Sequence, residues 1–436
     1  MKQASLLLLL GLAVAAKAQK PITISNPTII PVTLEKVSLP LRDLPETPPT
    51  QKELFGKRPE HDNPSLEHPM AVVNPDALPH GADPALQTNI AERTDEVQTT
   101  STILSSWTGL TASVNPSDNT LAVGPNHVMQ MTNNNTSTYI RIWNKAGTVL
   151  VANKLVKTIT GITDYGDPNV LYDPVNDRFV FTVLYSKSQK KLVVCVSQNG
   201  DPTGSYYTYT FSTPGGFPDY PKIAVWGNSY FITTNSNHPI IYALNRTPML
   251  AGQSMGTAQM FSLSSFPLIG FQSASPVTQT GSALPPAGTP AVMMRVADDA
   301  WSTSLGPDHL ELFLMNINWT TPSSSTITGP VNLNTIAYNS NLCGWGSGSC
   351  IPQPGTTTKL DPLSDILMDK VQYLNLGTYE SIVCSHICNA DGNGRAGIRW
   401  YELRRDGSGN WYIYQQSTYA PDANGRFMSS ITINNT

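Results

Sequence analysis

Three aspartates recur at the same point of a repeated pattern, and they are the residues best spaced to do chemistry together. Asp118, Asp167 and Asp219 open the segments DNTLAVGPN, DPNVLYDP and DYPKIAVWG, 49 and 52 residues apart. Each stands just before a short β-type run. If those runs converge on one axis, the carboxylates ring one mouth of it. Arg426, which opens the last such run, joins them there. Such a ring suits a cation or the hydroxyls of a sugar. The competing reading is local, because an Asp before a strand hydrogen-bonds its own turn, as in GDP and PDYP.

A second acidic turn, NADGNGR, carries Asp391 and Asn393. It has the flavour of a calcium loop but lacks the downstream bidentate Glu of one. Ca2+ is the one metal the sequence suggests, and a plain Asn/Gly hairpin is the alternative. Cys384, His386 and Cys388 in CSHIC share one strand face, with no further ligands at zinc spacing. Cys343 and Cys350 flank the Gly/Ser loop of LCGWGSGSC and are expected to close it as a disulfide. For hydrolysis, Glu311, Glu380 and Glu402 fall on strands, but a glycosidase needs two carboxylates facing each other about 5–10 Å apart. G-x-S-x-G does not appear as a nucleophile elbow: GWGSGSC lacks the spacing and sits in a loop.

The elements that would position these groups are repeats. Each repeat is four short β-runs broken by Gly, Pro, Asn or Asp, which is the pattern of a β-propeller blade. One four-stranded unit cannot bury both faces, so units must stack around an axis. Five units are expected, at about 117–160, 165–212, 217–264, 268–333 and 365–418. The fold class is therefore an all-β propeller, and APDANGRFMSSITINNT reads as the opening strand of a sixth blade. Either the chain is a piece of a longer protein, which is the preferred reading, or Phe427–Asn434 completes a blade begun by a strand at 101–107.

Residues 1–18 read as a signal peptide: Lys2, an apolar run over Leu6–Ala16, and the small-x-small site ending at Ala18. That run is too short to span a bilayer. Residues 19–100 carry many prolines and no sustained period, and are expected to form a mostly disordered or extended leader before the propeller at 101–436, with short pieces such as ITISNPTIIPVTLEKV forming a lone strand or lying along the propeller surface. Charged residues make up 13% of the 436, about half the usual share, and the net charge is −4. Nucleic-acid binding needs a concentrated basic face and is excluded on that ground.

Several phrases resemble a largely uncharacterised family of exported bacterial β-propeller proteins. They are DNTLAVGPNHVMQM with IRIWNKAGT, GDPNVLYDPVNDRFVFT, DPTGSYYTYTF, FPDYPKIAVWGNSYFIT, IPQPGTTTKLDPLSDILM and GIRWYELRRDGSGNWYIYQQSTYAPDANGRFMSSI, together covering about 117–433. The resemblance implies a propeller, an extracellular or surface address and continuation past the RFMSSI phrase. It supplies no catalytic residues. The functional expectation is a secreted or cell-surface, monomeric, non-catalytic module that binds a glycan or a protein. Its rivals are a propeller enzyme, either a glycoside hydrolase or a polysaccharide lyase, and a structural segment of a larger adhesin.

Overall fold

The computed structural model describes residues 21–47, 56–57, 74–87, 105–112, 114–135, 137–186, 188–236, 238–263, 273–343, 349–407 and 409–434. The expected signal peptide lies outside the described residues. Four short strands precede the repeats: β1 (Ile22–Ser25), β2 (Thr28–Val37), β3 (Gly56–Lys57) and β4 (Val114–Asn115). Five four-stranded antiparallel meanders follow. The first is β5 (Thr120–Val123), β6 (His127–Thr132), β7 (Tyr139–Asn144) and β8 (Val149–Leu155). The second is β9 (Gly166–Asp173), β10 (Arg178–Leu184), β11 (Lys191–Ser197) and β12 (Tyr206–Ser212). The third is β13 (Lys222–Trp226), β14 (Ser229–Thr234), β15 (Ile240–Asn245) and β16 (Thr257–Ser262). The fourth is β17 (Ser275–Gln279), β18 (Ala291–Ala297), β19 (His309–Asn316) and β20 (Thr326–Asn334). The fifth is β21 (Val371–Asn375), β22 (Glu380–Asn389), β23 (Ala396–Arg405) and β24 (Trp411–Tyr419).

The local chemistry of the turns sets these units. Between β9 and β10, Asp173 Oδ1 accepts the N–H groups of Val175 and Asn176 at 3.1 and 3.2 Å, and Asp177 takes a left-handed φ of 53°. Such side-chain-to-backbone bonds offer the chain an alternative to the ladder and so reverse it. The middle strands are apolar on both faces: Phe179, Val180, Phe181 and Val183 of β10 are all fully buried. A sheet hydrophobic on both faces must have a neighbour on each. One core packs the first meander against the second through Met129, Ile140, Val170 and Phe181. Another joins the second to the third through Val194, Tyr209, Ile232 and Tyr242. The largest joins the third, fourth and fifth through Phe231, Met293, Phe313, Tyr373 and Leu403.

The first strands of the meanders are neighbours: β5 lies along β9, β9 along β13 and β13 along β17, and β17 pairs in parallel with β21, Val277 opposite Val371. Four-stranded meanders with their first strands gathered at the centre are the layout of a β-propeller.

Within the leader, β2 is hydrogen-bonded antiparallel to both β12 and β16 and so stitches two meanders at the rim. Its alternation, TIIPVTLEKV, buries Ile30 and Val32 while Ile29 stays exposed. β1 likewise joins a sheet, extending the fourth meander beyond β20. The opening strand of a sixth blade is not a strand: 427–434 has no ladder partner among the described residues. Side chains hold it instead, Ser429 to Ser385 at 3.0 Å and Thr432 to Gln372 at 2.9 Å. Of the strand expected at 101–107, residues 101–104 lie outside the described residues and 105–107 are not extended in a ladder. Trp107 instead packs on the first meander beside Tyr139 and Trp143.

Candidate functional site at the axis

The first strands begin at one end of the axis, so whatever precedes them is gathered there. Asp118 and Asp167 adopt left-handed φ values of 43° and 50°, and Tyr220, next to Asp219, one of 53°. Asp is among the few residues that enter this region at modest cost, since its short side chain hydrogen-bonds locally. All three aspartates are half-buried. Burial pushes the Asp219 carboxyl up to about 6; the Tyr220 N–H opposes this, the negative charge of Asp118 adds to it, and Lys222 opposes it in turn. Burial works against the Lys222 ammonium, but Tyr220, Asp369, Asp118 and Asp167 outweigh it and hold its pKa above the ordinary lysine value. Its Nζ sits 3.7 Å from the centre of the Tyr220 ring.

Sequence reasoning missed the fifth meander's contribution. Asp369 precedes β21, and its Oδ2 accepts from Asn169 Nδ2 at 2.8 Å. Lys370 beside it donates to the Val170 carbonyl on β9. Burial lowers the Lys370 pKa, Asp369 opposes that, and Lys222 adds to it. Four carboxylates and two ammonium groups thus share the axis. The available signal was the DYPKIAVW and MDKVQYL pair, in which an Asp and a Lys flank the opening of a first strand in both repeats.

Of these groups, Asp369 and Lys370 line a cavity of about 640 Å3, together with residues of the first, second and fourth meanders. Its walls include Asn119, all of β5, Gln279, Gln372 and the tail from Met428 to Ile433. Most lining side chains are neutral donors and acceptors, which suits a polyhydroxylated ligand. A smaller cavity, about 260 Å3, lies under Asn74–Gly81, with His80 its only ionisable lining group.

Arg426 is bonded within its own turn: its Nη2 donates to Asp422 Oδ2 at 2.6 Å, and its backbone N–H donates to Ala396 at the start of β23. The pull of that carboxylate four residues back keeps it on its own turn. Asp391 and Asn393 form the β22–β23 hairpin. Asp391 Oδ1 accepts the N–H groups of Asn393 and Arg395 at 2.8 and 3.1 Å, so its acceptors already serve the turn. Slight burial acts to raise its pKa, but those N–H groups and the Arg395 charge lower it. Among the described residues, the acidic cluster tight enough for a metal is instead Asp298, Asp299 and Asp308. There Asp298 accepts from Ala300 and Ser340, and Asp308 from Asp299 and Tyr338.

Cys343 and Cys350 are disulfide-bonded, as expected. Cys384 and Cys388 are free and buried. His386 between them is neutral, held down at about 3 by burial and by the Arg399 charge, and stacks on Tyr401. The glutamates weighed for hydrolysis serve ion pairs within their meanders: Glu311 with Arg295, Glu380 with Arg405 and Glu402 with Arg404.

No family model matches the chain, and no curated protein does. Among solved structures, it is similar to Bacteroides ovatus xyloglucan PUL GH43B, at 11% identity and a TM-score of 0.33. That match covers 73% of this chain and 58% of the other. It is also similar to a thermostable family-43 glycoside hydrolase, at 12% identity and a TM-score of 0.33, covering 71% and 96%. A third is the endo-arabinase from Bacteroides thetaiotaomicron, at 12% identity and a TM-score of 0.31, covering 60% and 82%. No helix among the described residues is long and apolar enough to cross a membrane.

Proposed function

We propose that this chain is an exported propeller, its five meanders forming five blades, that cleaves glycosidic bonds with carboxylates at its axis. The observation that carries the reading is the pairing of Asp219 with Asp118. Burial, with the negative charge of Asp118 adding to it, raises the Asp219 carboxyl to about 6. A carboxyl raised in this way can serve as the acid of glycoside hydrolysis, with a second carboxyl as the base. Asp219 would protonate the leaving oxygen, and Asp118 would activate water or attack the anomeric carbon. The neutral amides and hydroxyls of the adjoining cavity would hold sugar hydroxyls. Export, and membership of the exported bacterial family that the sequence resembles, belong to the same proposal. The apolar leader at Leu6–Ala16 and the Cys343–Cys350 disulfide support them.

A second reading, glycan binding without turnover, is favoured by Lys222 and Lys370, whose ammonium groups offset part of the axial negative charge. A panel of plant and bacterial polysaccharides separates the two. The hydrolytic reading expects new reducing ends, abolished in Asp219→Asn. Retention of the glycan with no new reducing ends, even after long incubation, supports the binding reading.

A further inference from the structure

We propose that Asn133 is a positioning residue of the axial site, fixing Asp118 where its charge bears on Asp219. The proposal rests on the carboxylate reading above.

Asn133 follows β6 and is fully buried. Its Oδ1 accepts the N–H of Asp167 at 3.0 Å, across the junction of the first two meanders. A backbone N–H can only donate, so the atom facing it must be the amide oxygen. The Asn133 NH2 is thereby turned to the first meander, where it donates to Asp118 Oδ2 at 2.5 Å and to the Pro116 carbonyl at 3.3 Å. One amide therefore reads the backbone of one axial aspartate and the carboxylate of another. No other side chain of this size does both. A carboxylate at 133 would set a second negative charge against Asp118, and an apolar group would remove both hydrogen bonds.

The donor holds the Asp118 carboxylate in place, and the charge of Asp118 is one of the influences that raise Asp219. The chain of effect is Asp167 backbone, Asn133 amide, Asp118 carboxylate, Asp219 carboxyl. The backbone at this point is secured separately. The Asn133 N–H donates to the Ser117 carbonyl at 2.8 Å, and the equivalent Asn235 N–H donates to the Asp219 carbonyl at 3.1 Å. Removing the Asn133 side chain leaves that clasp in place.

The test uses the full chain with carbon-13 in the Asp carboxyl groups. Asp219 is titrated by NMR in the parent, in Asn133→Leu, in Asp118→Asn and in the double variant. Asn133→Ser stands in if Asn133→Leu fails to fold. The Asp219 midpoint is expected to fall by about one unit in Asn133→Leu and in Asp118→Asn, with little further fall in the double variant. Where turnover is measurable, the alkaline limb of kcat/KM moves down with it. An unmoved midpoint, or equal and additive shifts in the double variant, overturns the proposal. Shifted midpoints in a protein that cleaves no glycan would sink the hydrolytic reading alone and leave the coupling standing.

Discussion

Asn169 of the second meander and Asp369, just before the first strand of the fifth, meet Nδ2 to Oδ2 at 2.8 Å, while Asn169 Oδ1 accepts the N–H of Ile223 in the third at 3.1 Å. One buried amide thus ties three first strands together. Asn169→Leu would leave the Ile223 N–H and the Asp369 carboxylate unsatisfied, which costs about 1–3 kcal/mol. Denaturant unfolding of the variant checks this, and an unchanged midpoint would show that the three strands are held by packing alone.

The raised Asp219 pKa has a consequence for stability. Between its ordinary value of 3.8 and the folded value of about 6, the native chain keeps a proton that the unfolded chain has lost. Unfolding free energy therefore falls as pH rises through that window. Discounted for the partial exposure of the group, the loss is on the order of 1 kcal/mol. Asp219→Asn should flatten that part of the slope, so that variant and parent are nearly matched at pH 4 while the variant is the more stable at pH 8. Thermal melts across this range give the comparison; a slope equal to the parent's would place the titrating group elsewhere.

The segment around Asp83 is pinned to the fifth meander by a fully buried ion pair, Arg399 Nη1 to Asp83 Oδ1 at 2.8 Å. Thr418 Oγ1 donates to the other carboxylate oxygen, also at 2.8 Å. Asp83→Ala would strand the Arg399 guanidinium and is expected to cost about 3–5 kcal/mol. Adding Arg399→Met should recover much of that, because it removes the uncompensated charge. A double variant no better than the single would mean that the loss is one of packing.

Arg426 has its partner on its own turn, Asp422 at 2.6 Å, with both side chains partly exposed. Arg426→Ala should change stability by less than about 1 kcal/mol and leave the axial site untouched. A marked loss of glycan binding or turnover in this variant would return Arg426 to the axis.

The repeats were legible because period-two alternation between Gly, Pro, Asn and Asp breaks is a property of each unit by itself. Three aspartates could be aligned for the same reason. The role of β2 was not legible. TIIPVTLEKV alternates like any edge strand, and nothing local says that it would be claimed by β12 and β16, about 175 and 230 residues away. The RFMSSI phrase carries strand-type residues, but a strand also needs a ladder partner, and 427–434 has none among the described residues. Asp369 and Lys370 escaped notice because MDKVQYL matches the other openings only loosely. Asn133 had a faint signal: the Thr-Asn step after the second strand recurs as Thr132-Asn133 and Thr234-Asn235.

The central claim is that paired axial aspartates break glycosidic bonds, and the most direct measurement is turnover of a glycan identified by the polysaccharide panel, compared between the parent, Asp219→Asn and Asp118→Asn. The account predicts folded variants that still bind the glycan, with kcat reduced about 10²–10⁴-fold in each. Turnover within a few-fold of the parent in both variants would contradict it.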